Sequence, residues 1–371
     1  MRILVANVGS SSLKLRLLDD ADATLGEREL AAARGELDAD GVRAALAGGL
    51  SEADAVGHRI VHGGERCQSA SRIDRSVEKA LCELADLAPL HQRKSLAALD
   101  VISRLLPGLP AVACFDTAFH ATLPASASTY ALPRAWRERF GIRRYGFHGL
   151  SHAYASRRAS ELVGVPVEDL RVVSCHLGSG ASLAAVRGGR SIDTTMGFTP
   201  LEGLVMATRC GSVDPGLLLW LLEGNRVDLR EMAEALEHES GLAGLAGSSD
   251  MRAILARAAL HEPDASLALE VYIHHLRAGI AAMAAALGGL DVLVFTGGVG
   301  ENAPSIRAAA AEHLGMLGIA IDPARNTAAG GDAIVSPAGA AVTTVVIGAR
   351  EDLEIARQVR QVLSGEHEHS A

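Results

Sequence analysis

Aromatic side chains make up only 3% of this 371-residue chain, so its core has to be assembled from Ala, Val, Leu and Ile. Cysteine is also sparse, and the five present (Cys67, Cys82, Cys114, Cys175, Cys210) form no Cys-x-x-Cys pair. An odd number of scattered thiols in a long chain argues against a disulfide framework and fits a reducing, cytoplasmic setting. Basic residues are outnumbered, giving a net charge of -9. That balance argues against non-specific binding to nucleic acid or anionic lipid, so an anionic substrate must find positive charge gathered locally. No uninterrupted apolar run is long enough to span a membrane. The longest, starting at Ala278, is cut by Gly288-Gly289 and Asp291 and reads as helix, turn and buried strand. The opening MRILVANVGS lacks a signal-peptide pattern because its apolar run is short and enters a glycine turn.

What remains is a globular composition, 49% hydrophobic and 21% charged, in a chain too long for one ordinary core. Two domains are expected. Strand-like runs (ILVA, AVGHRIVHGG, AVACFDTAF, RVVSCHLGSG, DVLVFTGG, TTVVIG) alternate with helical ones (SVEKALCELADL, SLAALDVISRLL, DLREMAEALEHESG, ASLALEVYIHHLRAGIAAMAAAL), which implies an α/β protein. VANVGSSSLKLRLL near the start resembles VSCHLGSGASLAAV from Val173, both reading strand, Gly-Ser turn, strand. The second continues through Gly188-Gly189, a good two-residue hairpin turn. Two copies alone do not separate an internal duplication from the common shape of glycine turns.

Turns of Gly and Ser pack poorly but offer backbone N–H groups and hydroxyls that can surround phosphate oxygens. Three follow buried strands directly: Gly9-Ser10-Ser11-Ser12, Gly178-Ser179-Gly180 and Gly297-Gly298-Val299-Gly300. None is a GxxxxGK[ST] loop, and LGSGASL lacks the third glycine of the dinucleotide fingerprint. The set points to a phosphate binder, with a nucleotide held between two domains.

Charged residues inside apolar runs supply the remaining chemistry. In GHRIVHGGE, Arg59 is costly to bury without an anionic partner, while His58 and His62 lack a third ligand at zinc spacing and read as non-metal. Asp116 ends the run ACFD, Arg209 follows a stretch without basic residues since Arg190, and His148 stands between Gly146 and Gly149. Singly, each is also explained as a satisfied structural residue. Together, two arginines, a carboxylate, a histidine and three phosphate turns match what phosphoryl transfer to an anionic acceptor requires.

In order along the chain, NVGSSSLKL, GHRIVHGGE, LAPLH, FDTAFH, YGFHGLSH, CHLGSGAS, DTTMGFTPLEGLVMATRCGSVDPG and VFTGGVGEN resemble the motifs of the acetate kinases, members of the acetate and sugar kinase/Hsp70/actin superfamily. The resemblance spans essentially the whole chain. It implies two duplicated actin-like, ribonuclease-H-like α/β domains flanking an interdomain nucleotide cleft. Residues 1–117 with a returning helix at 354–371 would form the first domain, and 118–353 the nucleotide-binding second. It also implies reversible phosphoryl transfer from ATP to acetate or another short-chain carboxylate, with Mg²⁺ (or Mn²⁺) as cofactor, by a cytoplasmic homodimer that binds neither membrane nor nucleic acid.

By the same resemblance, Asn7, Asp116 and Glu351 would serve the metal, and Arg59, Arg209 and His148 the acyl and phosphoryl groups. His91 and His176 would lie nearby. Val61, Leu90, Phe147 and Pro200 would form a small pocket for the acyl methyl. Ser10, Ser12, Lys14, His176, Gly178, Ser179, Gly180, Gly298, Gly300 and Asn302 would meet the nucleotide. Three positions depart from the family pattern: Ser179 replaces an Asn, Gln92-Arg93 an Asn-Pro, and Arg350 and Asp352 flank Glu351 where Asn and Glu are usual. A propionate kinase is the nearest alternative, since one methylene changes binding by only about 1–3 kcal/mol. A weakly active Hsp70/actin-like nucleotide-binding homologue is the other.

Overall fold

The computed structural model describes residues 1–9, 12–31, 39–84 and 89–365, excepting the side chains of Pro89, Leu90, His91 and Arg93. Ser10, Ser11, Leu90, His91 and the tail beyond 365, all singled out in the sequence, therefore have positions or side chains outside the described residues. Contacts divide the chain into two units. One comprises Met1–Ala121, Phe147–Tyr154 and Arg350–Ala371; the other comprises Thr122–Gly146 and Ala155–Ala349.

The first unit holds a six-stranded mixed sheet built from β1 (Ile3–Val8), β2 (Ser12–Leu18), β3 (Thr24–Ala31), β4 (Ala55–Ile60), β5 (Ser71–Arg72) and β6 (Ala111–Phe115), in the order β3-β2-β1-β4-β6-β5. β1 pairs in parallel with β4, and β4 with β6; the remaining neighbours are antiparallel. Successive β1 side chains divide between the two sheet faces. Ile3 and Val5 pack with Ala55, Val112, Ile355, Ala356 and Val359, the last three from the C-terminal helix Glu351–Ser364. Leu4 and Ala6 pack on the other face with Leu13, Leu15, Val42, Ala98 and Ile102. Because helices cover both faces, β1 and β4 read as nearly continuous apolar runs rather than alternating ones. β3 is mostly exposed and charged, which is why no apolar pattern announces it.

The second unit repeats the plan. Its strands are β7 (Arg171–Leu177), β8 (Ala181–Arg187), β9 (Arg190–Thr194), β10 (Val292–Thr296), β11 (Ala333–Ile334) and β12 (Thr343–Val346), in the order β9-β8-β7-β10-β12-β11. Adding six to each label of the first sheet reproduces this order, and the parallel and antiparallel neighbours correspond as well. The two glycine-turn hairpins noted in the sequence are β1–β2 and β7–β8, the same element of the two sheets. The helix Pro263–Leu287 carries its buried stripe through Ala265, Ala268, Tyr272, Leu276, Ile280, Met283 and Leu287. It starts with Pro263 at its first turn and stops at Gly288 in the left-handed region (φ 67°), the usual asymmetry of helix ends.

All six strand-like runs of the sequence become strands. One segment differs from expectation: Gly297-Gly298-Val299-Gly300 is the first turn of a short helix, Gly297–Asn302, not an open loop. Thr296, extended, precedes it without a side-chain cap, and the Ala303 N–H closes it on the Val299 carbonyl at 3.0 Å. Among the described residues no helix is long and apolar enough to cross a membrane.

Gly57, in the middle of β4, lies under the C-terminal helix. A Cβ there would fall 2.5 Å from Ile355 Cγ2 and 2.8 Å from Val359 Cγ2. Both neighbours are stiff, β-branched and fully buried. Gly57→Ala should therefore cost about 1–3 kcal/mol of stability by overpacking, read as a lower urea midpoint with an unchanged slope.

Candidate active site

The parallel strands β1, β4 and β6 end side by side, and each delivers a polar residue at or just past its carboxyl end: Asn7, Arg59 and Asp116. The C-terminal helix adds Glu351 from its first turn. The Arg59 guanidinium joins all of them. Its Nη2 donates to Asp116 Oδ2 at 2.7 Å and its Nε to Oδ1 at 3.1 Å. Its Nη1 donates to Asn7 Oδ1 at 3.1 Å and lies 3.2 Å from Glu351 Oε2. Asn7 Nδ2 completes the ring by donating to Glu351 Oε2 at 2.8 Å. The Arg59 and Asp116 side chains are only 13% and 2% exposed, so the buried arginine suspected from sequence has the anionic partner it needs.

One guanidinium cannot neutralise two carboxylates. Burial pushes the Asp116 carboxyl up to about 6; Arg59 pulls it down and Glu351 pushes it up again. The cluster thus carries one negative charge in excess when both acids are ionised. Two carboxylates and the Asn7 amide oxygen are hard oxygen donors, and Mg²⁺ typically takes one or two carboxylates and leaves its other positions to water and substrate. The residues present fit that ion. No group of three or more His, Cys, Asp or Glu side chains able to chelate a metal occurs among the described residues, so additional ligands would have to come from elsewhere.

Backbone geometry brings His148 to the same place. Gly149 donates its N–H to the Asp116 carbonyl at 2.9 Å, and a Cβ on Gly149 would fall 2.2 Å from that oxygen. Only glycine permits this approach. His148, one residue earlier, is in the left-handed region (φ 56°), uncommon for histidine and a conformation kept where the surroundings impose it. Phe147 is fully buried with its ring edge-to-face on His62 at 5.6 Å, and its carbonyl meets His120 Nε2 at 3.0 Å. Val61 is buried beside them in sequence. His58 takes the opposite face of β4 from Arg59, and burial pushes it down to about 4, keeping it neutral.

Of the two departures placed here, Gln92 is buried and brackets His62: its Oε1 accepts from the His62 N–H and its Nε2 donates to the His62 carbonyl, both at 3.2 Å. Arg350 pairs with Asp352, which Arg16 also meets at 2.8 Å. The charge that Arg350 adds is therefore met by Asp352, at a position where an acid is usual, rather than passed to Glu351.

In the second unit, the β7–β8 turn closes with Gly178 N–H on the Gly180 carbonyl at 3.0 Å, and His176 leads into it. Ser179 is exposed, and its carbonyl accepts from Ala207 N–H at 3.0 Å. Gly298 is exposed, Gly300 is buried, and Asn302 Nδ2 donates back to the Gly298 carbonyl at 2.9 Å. Arg209 Nη1 donates to the Pro200 carbonyl at 2.6 Å, and among the described residues Arg209 makes no ion pair. Burial lowers its pKa, with Glu237 opposing, yet a guanidinium keeps its charge. In the first unit, Ser12 and Lys14 are both turned to Glu29 on β3: Ser12 Oγ donates to it at 2.7 Å, and Lys14 Nζ forms an ion pair with it at 3.9 Å.

Sequence reasoning passed over three residues of the second unit. Glu202 lies inside DTTMGFTPLEGL and accepts from Tyr130 Oη and from Arg144 Nη2, the latter at 2.6 Å. Its place in that motif was the available signal; Tyr130 carries none.

The model of the Acetokinase family matches residues 27–357. The chain is 44% identical over 403 aligned positions to the acetate kinase of Deinococcus deserti, covering 99% of each. Among solved structures it resembles Porphyromonas gingivalis acetate kinase, with a TM-score of 0.89, 36% identity and 98% and 99% of the two chains covered. It is equally close in fold to a propionate kinase from Francisella tularensis, with a TM-score of 0.89, 33% identity and 96% and 98% covered.

The Asp116 carboxyl should titrate near pH 6 in a carboxyl-carbon NMR experiment, and Glu351→Gln should move that midpoint down by removing the neighbouring charge. Its folded-state value lies above the unfolded one. The stability it contributes is therefore full below the unfolded value and is lost as pH rises through about 6.

Proposed function

Because the chain belongs to the Acetokinase family, we propose that it catalyses reversible, Mg²⁺-dependent transfer of the γ-phosphoryl group of ATP to acetate, giving acetyl phosphate and ADP by direct in-line attack. The observation that carries this reading is the contrast between its two arginines. Arg59 is already compensated by two carboxylates, whereas the Arg209 guanidinium is held among the described residues by a carbonyl and keeps its charge for an incoming anion.

The acceptor carboxylate has a pKa of about 4 and is ionised at neutral pH, so it needs no general base. The obstacle is bringing it to a polyanionic phosphate. Arg209 offsets that repulsion with the charge of its planar, multiply donating guanidinium, while Arg59, its charge met by Asp116 and Glu351, contributes donors rather than net charge. His148, held in its strained conformation, donates a hydrogen bond to the charge that develops on the transferring group. Val61, Leu90, Phe147 and Pro200 enclose the methyl of the acyl group. Asn7, Asp116 and Glu351 would hold Mg²⁺, which would supply positive charge to offset the phosphates. Ser10, Ser12, Lys14, His176, Gly178, Ser179, Gly180, Gly298, Gly300 and Asn302 receive the nucleotide.

We further read the protein as a cytoplasmic homodimer. The helix Pro215–Glu223 supports this: its sequence PGLLLWLLE is almost wholly apolar, yet none of its residues is buried, and Leu219 and Trp220 are 57% and 54% exposed. Trp220→Asp should shift the protein toward monomer in light scattering while its circular dichroism is unchanged.

Trapping of the acyl phosphate by hydroxylamine, with Mg-ATP and acetate, propionate or butyrate at matched concentrations, tests the reaction. Acetate is expected to give the most hydroxamate, and a clear preference for propionate would reassign the acyl substrate. Arg209→Ala should lower turnover by roughly 100- to 1000-fold, the scale of losing one preorganised donor to a transition-state oxyanion.

A further inference from the structure

We propose that Tyr130, Arg144 and Glu202 form a positioning lock that fixes Arg209 through the carbonyl of Pro200. The proposal rests on the role given above to Arg209. That residue's described anchor is the Pro200 carbonyl at 2.6 Å, and Pro200 belongs to a stretch after β9 with neither helix nor strand. An irregular segment has no ladder of its own to hold it, so its backbone groups must be satisfied from outside. Here they are met one after another. Arg144 Nη1 donates to the carbonyls of Thr195 and Met196 at 3.1 and 3.0 Å. The N–H groups of Tyr145 and Gly146 both reach the Gly197 carbonyl, at 3.1 and 3.2 Å. Tyr130 Oη accepts from the Phe198 N–H at 2.9 Å.

Glu202 then locks the two clamping side chains together. One carboxylate oxygen accepts from Arg144 and the other from Tyr130, while the Arg144 guanidinium lies over the Tyr130 ring at 5.4 Å. The fit leaves no slack. A Cβ on Gly197 would fall 1.8 Å from Glu202 Oε2 and 2.1 Å from Tyr130 Oη. Pro200 thus sits between two pinned residues, Phe198 and Glu202, and its own ring restricts φ. With both flanks held, the Pro200 carbonyl has little freedom to swing, and it accepts from Arg209 Nη1 at 2.6 Å. Charge-assisted bonds to a carboxylate by a forked guanidinium are well suited to such a duty, because they fix geometry as well as adding energy. None of the three residues is placed here in contact with substrate; they act through the segment they hold.

The test is a double-mutant cycle in steady-state kinetics, with thermal unfolding measured in parallel. Tyr130→Phe keeps the ring under Arg144 and removes only the hydroxyl. It should lower kcat by roughly 10- to 100-fold, as a displaced catalytic group does, with little change in KM for ATP. In an Arg209→Ala background the same substitution should have no further effect on kcat, while its effect on the melting temperature persists. Arg144→Lys, which keeps the charge but loses the fork, should repeat the pattern and carries the cycle should Tyr130→Phe prove unstable. Full turnover in Tyr130→Phe overturns the proposal. So does an undiminished additional loss of kcat in an Arg209→Ala enzyme that is itself crippled, and in that case the reading of Arg209 stands. Full turnover in Arg209→Ala overturns that reading and the lock with it.

Discussion

A single guanidinium shared between two carboxylates organises the first unit's site. Arg59 enters from β4, Asp116 from the end of β6 and Glu351 from the C-terminal helix, with Asn7 of β1 closing the ring. Burying that many polar groups would be ruinous if any were left without a partner. Arg59 therefore fixes how the strand ends and the helix meet: shifting one member would strand the others' charges in a poorly solvated place. Burial raises the Asp116 carboxyl, Arg59 opposes that and Glu351 adds to it, and the oxygens gathered there fit a hard cation.

The duplicated sheet explains where the chemistry sits in both units. One residue beyond the last paired positions of β1 and β4, Ala6 and His58, come Asn7 and Arg59. At the matching end of β7 and β10 the paired residues are His176 and Thr296. Carboxyl ends of adjacent parallel strands are where open α/β sheets bind ligands, because the strands stop there and their connections diverge. One plan thus serves twice with different contents, a charged cluster in the first unit and a histidine and threonine in the second.

Much of this could be read from the sequence because burial and chemistry leave marks at short range. β4 and β6 are apolar runs, so an arginine or aspartate within or at the end of one stands out. The glycine turns announced both hairpins. The rest lacked local marks. β3 faces solvent and has no apolar pattern to reveal it, and the third glycine run enters a short helix through Gly297, whose φ of 79° turns the chain out of the extended Thr296. Tyr130 and Glu202 meet across 72 residues of chain, a separation that leaves no spacing to notice. The pairing of Arg350 with Asp352 lies at the other extreme. The charge that Arg350 adds to the motif looks like a defect until its side chain is seen paired with Asp352.

The helix Glu351–Ser364 covers one face of the first sheet, supplying Ile355, Ala356 and Val359 against strands made much earlier. During synthesis Asn7, Arg59 and Asp116 leave the ribosome long before Glu351 does. Domains generally form as units while the chain emerges, but this one cannot close until its final helix is released. The first-made sheet must wait with an apolar face bare and Arg59 only partly compensated while the whole second unit is translated. The order of translation thus makes the second unit the first that can fold to completion, and leaves the nascent first unit as the part most in need of a chaperone.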